Sequence, residues 1–291
     1  MASVTLYGSR FGYVEYGRGE PLMFVHGAVS DYRTWQFQQE EFAGRFRVIA
    51  YSRRYNWPNE QIPKETDYSM IKQVDDLQAL IRLLGAAPAH LVGHSYGAFL
   101  CLLLAIREPH LVRTLTLAEP PVIPLFVSNK PGPLEILKLL VTRPRAAAAI
   151  ITFGAKVLAP ATQAFRDGDM EAGMHIFVDT VFGSGGYRAL SEARKEQVRA
   201  NLANLKAVLL GSSGFAPLNA GQVRSIRTPT LLVNGEHSIG LFHRLTDRLQ
   251  ELMPHAERVT IRGVSHMMQE ENGPAFNGAV LSFLAKHNKA A

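Results

Sequence analysis

Apolar and polar residues alternate with a period of two over residues 4–7 and again over 11–16, which predicts an antiparallel hairpin turning around Gly8-Ser9. The run Leu22-Met23-Phe24-Val25 is apolar without interruption, as a strand buried on both faces is, and Arg47-Val48-Ile49-Ala50-Tyr51 reads as the next strand. Between them, aromatic spacing over residues 31–42 predicts a helix. Residues 52–59 are polar and aromatic, stop at Pro58, and read as a loop. Apolar residues at Ile71, Val74, Leu77, Leu80, Ile81 and Leu84 recur at helical spacing and end at Gly85. A short apolar strand ending in Gly93 follows, then an apolar helix through Phe99 and Ala105, then a strand over residues 111–118.

Strands that alternate with helices in this way predict a mostly parallel sheet covered on both faces. The alternation breaks after Glu119-Pro120-Pro121. From there to about Gln222 only helical patterns remain, separated by Pro160, Gly168, Gly183-Ser184-Gly185-Gly186 and Pro217. It resumes with Thr230-Leu231-Leu232-Val233-Asn234, a helix over 241–252, a strand over 258–261 and a last helix from Pro274 to about Lys286. Residues 1–120 and 223–291 therefore form one core domain, and residues 121–222 form a helical cap inserted between its strands. The glycine-rich run at 183–186 is expected to be a flexible loop near the pocket mouth.

Composition narrows the class without naming it. With 47% apolar and 19% charged residues, the chain has the make-up of an ordinary globular protein. The net charge of +6 is scattered; its densest cluster, Arg143-Pro144-Arg145, is too short for a nucleic-acid arm and reads as solvated surface. The single cysteine, Cys101, lies within an apolar helix and reads as packing. The first residues lack a signal pattern, and no apolar run is long enough to span a membrane. A cytoplasmic chain with a small-molecule substrate, no nucleic-acid partner and no membrane partner is expected. Metal-ligand spacing, phosphate loop and dinucleotide fingerprint are all missing from the sequence, so no metal and no cofactor are expected. Nothing in the sequence fixes an oligomeric state.

The chemistry concentrates at Gly93-His94-Ser95-Tyr96-Gly97. An apolar strand runs into this G-x-S-x-G pattern and an apolar helix runs out of it, so the chain must turn sharply at Ser95. Such a turn presents the serine at the carboxyl end of its strand. There the Tyr96 amide and the helix N-terminus face any developing negative charge.

The succession of His26-Gly27, the Ser95 elbow, a helical insertion and Gly263-Val264-Ser265-His266 resembles the α/β-hydrolase family over nearly the whole chain. The resemblance implies an eight-stranded, mostly parallel sheet with the cap over the carboxyl ends of its strands. It also implies Ser95 as nucleophile, His266 as base and an oxyanion hole made by the amides of Ala28 and Tyr96. His26, Gly27 and His94 flank the same place as supporting groups.

The acid departs from the family's commonest pattern. Many members carry aspartate three residues beyond a glycine after the strand that follows the cap; here the stretch is Gly235-Glu236-His237-Ser238, with serine in that place. Glu119 ends the strand after the nucleophile's helix, where one branch of the haloalkane dehalogenases carries its acid, and is the favoured candidate. Glu236 is the alternative.

Serine with a histidine base implies acyl transfer to water. Epoxide hydrolases and dehalogenases of this fold use an aspartate nucleophile, so Ser95 points away from them. The expectation is a serine hydrolase of the carboxylesterase kind, cleaving a small, fairly apolar carboxylic ester. Lactone or carbon–carbon bond hydrolysis and a non-catalytic ligand receptor of the same fold are the alternatives. Phe153, Phe177 and Trp57 are the candidate pocket residues, with Phe165, Met170, Met174 and Phe182 as further apolar side chains in the cap.

Overall fold

The computed structural model describes residues 1–63, 66–183, 185–211 and 214–288. Eight strands form one sheet: β1 (Ala2–Leu6), β2 (Ser9–Tyr16), β3 (Glu20–Val25), β4 (Phe46–Tyr51), β5 (Ala89–His94), β6 (Val112–Ala118), β7 (Thr230–Gly235) and β8 (Glu257–Ile261), in the order 1-2-4-3-5-6-7-8. Only the β1–β2 hairpin and the β2–β4 pairing are antiparallel; β3 to β8 pair in parallel. The sheet therefore buries both faces along its centre, which is why β5 and β7 have no exposed residue.

One face is covered by α2 (Met70–Leu83) and α3 (Tyr96–Arg107), the other by α1 (Gln36–Ala43) and a C-terminal helix, Gly273–Ala285. Ser69 caps α2 by accepting from the Lys72 amide at 3.2 Å, where the sequence pattern starts that helix. A helical turn at Met268–Glu271 leads into the C-terminal helix.

Between β6 and β7 the described residues contain no strand. The insertion holds Pro133–Thr142, Pro144–Phe153, Ala159–Arg166, Met170–Val181, Glu192–Ala200, Leu202–Leu210 and Ala220–Arg224. Pro160 does not separate two helices, contrary to the sequence-based expectation. A stretch of π-helix over Gly154–Leu158 joins them into one helix, Pro144–Arg166. The wider turn accommodates the proline ring, which would otherwise press on the carbonyl four residues earlier. That helix is, by length and composition, apolar enough to cross a membrane, so the expectation of no such run is corrected here.

The insertion is tied to the core through a buried acid. Asp31, fully buried, accepts from Asn201 Nδ2 at 2.7 Å and Gln197 Nε2 at 3.0 Å, both from the insertion. Arg194 adds an ion pair to Glu270 at 3.2 Å. In the glycine-rich run, Ser184 lies outside the described residues. Gly183 packs on Ser265, so this part of the run rests on the loop after β8 and does not edge the cavity above Ser95.

Candidate active site

Ser95 sits between β5 and α3 with φ 52° and ψ −122°, a strained conformation for a residue with a side chain. Its amide is held by the Ala118 carbonyl at 2.7 Å. Close packing makes glycine necessary on either side: a Cβ at Gly97 would stand 2.2 Å from the Val25 carbonyl oxygen, and one at Gly93 2.5 Å from Ala98 Cα. Tyr96 is the first residue of α3, so its N–H precedes the first intrahelical bond and points out of the helix.

His266, on the loop after β8, is buried, and its Nδ1 lies 2.6 Å from Glu119 Oε2. Glu119 follows β6, is fully buried and takes φ 49°. Each of its oxygens is further bonded: Oε1 accepts from the Gly235 amide at 2.9 Å and Asn234 Nδ2 at 3.2 Å, and Oε2 accepts from Ser238 Oγ at 2.9 Å. Ser238, which stands where relatives of the family carry aspartate, thus donates to the carboxylate instead of supplying one. Four partners around a buried carboxylate fix its direction.

Glu236, the alternative acid, is exposed and accepts from the Gly263 amide at 2.7 Å. It lies on the solvent side of the loop, and the bond to His266 is made by Glu119. A strand end reaches the imidazole directly, whereas Glu236 sits two residues short of the turn that would aim it inward.

The flanking histidines hold backbone. His94 Nε2 donates to the His266 carbonyl at 2.8 Å, and the two rings lie 4.6 Å apart. His26 Nε2 accepts from the Arg53 amide at 2.9 Å, so its Nδ1 carries the proton and donates to the Gly27 carbonyl at 2.9 Å. Burial, reinforced by the Arg53 guanidinium, holds the His26 pKa well below the usual histidine value; burial and then His266 do the same for His94. Both rings are neutral.

Arg53 is the residue that the sequence pattern does not reveal. It falls in the segment read as a loop, yet is 2% exposed. Its neighbour Arg54 is paired with Asp76 at 2.5 Å, but Arg53 has no carboxylate partner among the described residues. It donates to Gln73 and, through Nη2, to the Gly27 carbonyl at 2.9 Å, and lies 4.7 Å from the Tyr96 ring centroid. The Gly27 carbonyl and the Ala28 N–H belong to one planar peptide, so donors on the first fix the direction of the second.

A small apolar cavity of about 50 Å³ opens on Ser95. Ala28, Ser95 and Tyr96 form its base; Phe153, Phe177, Leu205 and Phe242 are among the side chains around it. Phe242 also stacks on His266 at 4.2 Å with a 12° angle between planes, a contact that no local pattern announces. Trp57 does not line this cavity; it borders a separate cleft of about 730 Å³ beside Asn204 and Ala207. Its ring stacks on Tyr32 at 6.0 Å with the Arg33 guanidinium 3.7 Å from its centroid, while its amide donates to Asn201 at 2.9 Å. A larger cleft of about 500 Å³, lined by Arg33, Arg194, Gln197 and Glu270, does not reach Ser95.

No group of three or more histidine, cysteine, aspartate or glutamate residues among the described residues is arranged to hold a metal ion.

Known proteins share this fold. The chain is 26% identical over 293 residues to epoxide hydrolase 3 of Xenopus tropicalis, covering 95% of this chain and 75% of that protein. Among solved structures it resembles a thermophilic esterase of Thermogutta terrifontis (TM-score 0.73, 19% identity, 98% and 97% of the two chains). It also resembles a carboxylesterase of Bacillus subtilis (TM-score 0.72, 20% identity, 98% and 91%). Residues 22–279 match the model of the alpha/beta hydrolase family, and the chain belongs to that family of hydrolases.

Proposed function

We propose that the chain is a serine hydrolase that cleaves small, fairly apolar carboxylic esters through an acyl-enzyme. The observation that carries this reading is the strained Ser95 at the base of an apolar cavity that also touches Phe242, the ring stacked on the Glu119-bound His266. In the first half-reaction Ser95 Oγ attacks the ester carbonyl while His266 Nε2 takes its proton. Glu119 stabilises the imidazolium through Nδ1. The carbonyl electrons move to oxygen, where the amides of Ala28 and Tyr96 stabilise the charge. Collapse expels the alcohol, which carries away the proton from His266. Water then attacks the acyl-serine with the same base, releasing the acid and restoring the hydroxyl.

Arg53 contributes through the backbone: its bond to the Gly27 carbonyl fixes the peptide that carries the Ala28 amide. The small cavity, far below the 300–1,000 Å³ typical of sites for larger ligands, supports a short acyl group. Epoxide hydrolysis, the activity for which the Xenopus relative is named, does not suit a serine nucleophile. Serine opening an epoxide would leave an ether, which has no carbonyl for water to attack. Turnover of p-nitrophenyl acetate and butyrate, set against p-nitrophenyl octanoate and styrene oxide, tests the reading. Hydrolysis of the short esters is expected; diol formation from the epoxide without ester turnover would overturn it.

A further inference from the structure

Two neighbouring helices of the insertion, Pro133–Thr142 and Pro144–Arg166, pack against each other through Leu139, Ala147 and Ile150. That contact uses only one side of each. On the other side Leu134, Leu137, Leu140, Val141 and Ile151 are 82%, 57%, 44%, 74% and 41% exposed. Only 17% of the most apolar window of the long helix is buried, whereas a core helix would be mostly buried. Singly exposed leucines are ordinary; a run of them on adjacent helices marks a surface that something covers.

Charge identifies what covers it. Residues 130–166 carry six basic side chains (Lys130, Lys138, Arg143, Arg145, Lys156 and Arg166) and one acid, Glu135, a net +5 out of the chain's +6. Arg143 is paired with Glu251; the other five have no ion-pair partner among the described residues, and all five are exposed. Lys138 lies on the same helical stripe as Leu134 and Val141, and Lys156 follows Ile151 and Thr152 by one turn. Exposed apolar side chains interleaved with unpaired cations are what a helix lying in the plane of a bilayer presents: the first enter the acyl boundary and the second meet acidic headgroups. A protein partner would more often bring acids into matched pairs, and a second copy of this chain would set unpaired cations against unpaired cations.

We propose that this face docks the protein on an anionic membrane surface, with the helices in the interface and not across it. Phe153, Val157, Ala161 and Phe165, on the inner side of the long helix, stay buried in the protein. The sequence pattern, which led to no expected membrane partner, registers the scattered charges but not that they share one face with unburied leucines. The inference goes beyond the proposed chemistry and stands without it.

Co-sedimentation of the full chain with vesicles tests the docking. Vesicles of phosphatidylcholine alone are compared with vesicles in which about one-third of the lipid is phosphatidylglycerol. Binding to the anionic vesicles is expected to exceed binding to the neutral ones at least tenfold, on the order of what two or more cations contribute, and to weaken as salt is raised. Lys138→Gln with Arg145→Gln should lower it by about 25-fold, roughly fivefold for each cation. Leu134→Ser with Val141→Ser should lower it by about tenfold or more, from lost apolar burial. All four side chains are exposed, so the thermal midpoint is expected to stay that of the parent. Equal, weak binding to both vesicle types would overturn the proposal, as would binding that survives both double variants. So would a vesicle-free dimer, seen by light scattering, that Leu134→Ser with Val141→Ser dissociates, because a second copy would then be the occupant.

Discussion

The carboxyl edge of the sheet and the helical insertion meet at Ser95, but they hold their side chains in different ways. At the sheet edge, backbone groups take part in fixing the groups of the site. Glu119 takes the Gly235 amide, the His266 carbonyl takes His94, and the Gly27 carbonyl takes both His26 and Arg53. In the insertion, Phe153, Phe177 and Leu205 reach the same cavity by apolar packing alone. Backbone-anchored groups have one geometry and fail sharply when a partner is removed; packed side chains can be exchanged at modest cost. On the proposed reading, chemistry belongs to the sheet edge and substrate size to the insertion.

The sharpest break is expected at Glu119. Glu119→Gln keeps the volume but removes the charge that stabilises the imidazolium and offers a donor to the wrong tautomer. By analogy with serine-protease triads, kcat/KM for a short ester should fall by about four orders of magnitude, ~5 kcal/mol. Glu236→Gln should remain within about twofold, because its carboxylate only caps the Gly263 amide. Inactive Glu236→Gln beside active Glu119→Gln would move the acid to the loop after β7.

Arg53→Met should come next, with kcat lowered about tenfold to a hundredfold, less than the 10²–10³ lost with a whole oxyanion donor. KM should change little, and Arg53→Lys should restore part of the loss. A rise in KM with kcat unchanged would show that Arg53 serves only binding. Phe153→Ala or Phe177→Ala should shift the ratio of butyrate to acetate turnover by about tenfold, the range of one to two methylenes in an apolar pocket. An unchanged ratio in both would remove size selection from the insertion.

The smallest effect concerns pH. His26 and His94 have folded pKa values below the unfolded value of about 6.5, so the unfolded chain binds more protons as the solution is acidified. Stability is therefore expected to fall as pH drops from about 7 towards 5. Glu270 acts in the opposite direction, since burial raises its pKa and its protonated form is favoured in the folded state. Urea midpoints at the two ends of this range measure the balance, and a midpoint that rises on acidification would contradict it.

The sheet was legible because two-sided burial leaves unbroken apolar runs, and the elbow because its glycines are demanded by contacts under 3 Å. Glu119 was legible as a carboxylate at a strand end with no turn role of its own. What escaped depended on how loops fold back. Arg53 looks like one more polar loop residue until the segment is buried, and Phe242 gives no sign that it will stack on His266. Trp57 misled for the converse reason, since an aromatic in a polar loop serves a pocket or a surface stack equally well in sequence. Pro160 marked a helix end only on the assumption of regular turns, which the π-stretch removes.

The most direct test of the central claim is trapping of the acyl-enzyme. A rapid acid quench during turnover of p-nitrophenyl acetate, followed by mass spectrometry of the peptide containing Ser95, should show an added acetyl group on that residue in the parent and none in Ser95→Ala. Turnover persisting in Ser95→Ala, or an acetyl group accumulating on any other residue at the rate of turnover, would contradict the assignment of Ser95 as the nucleophile.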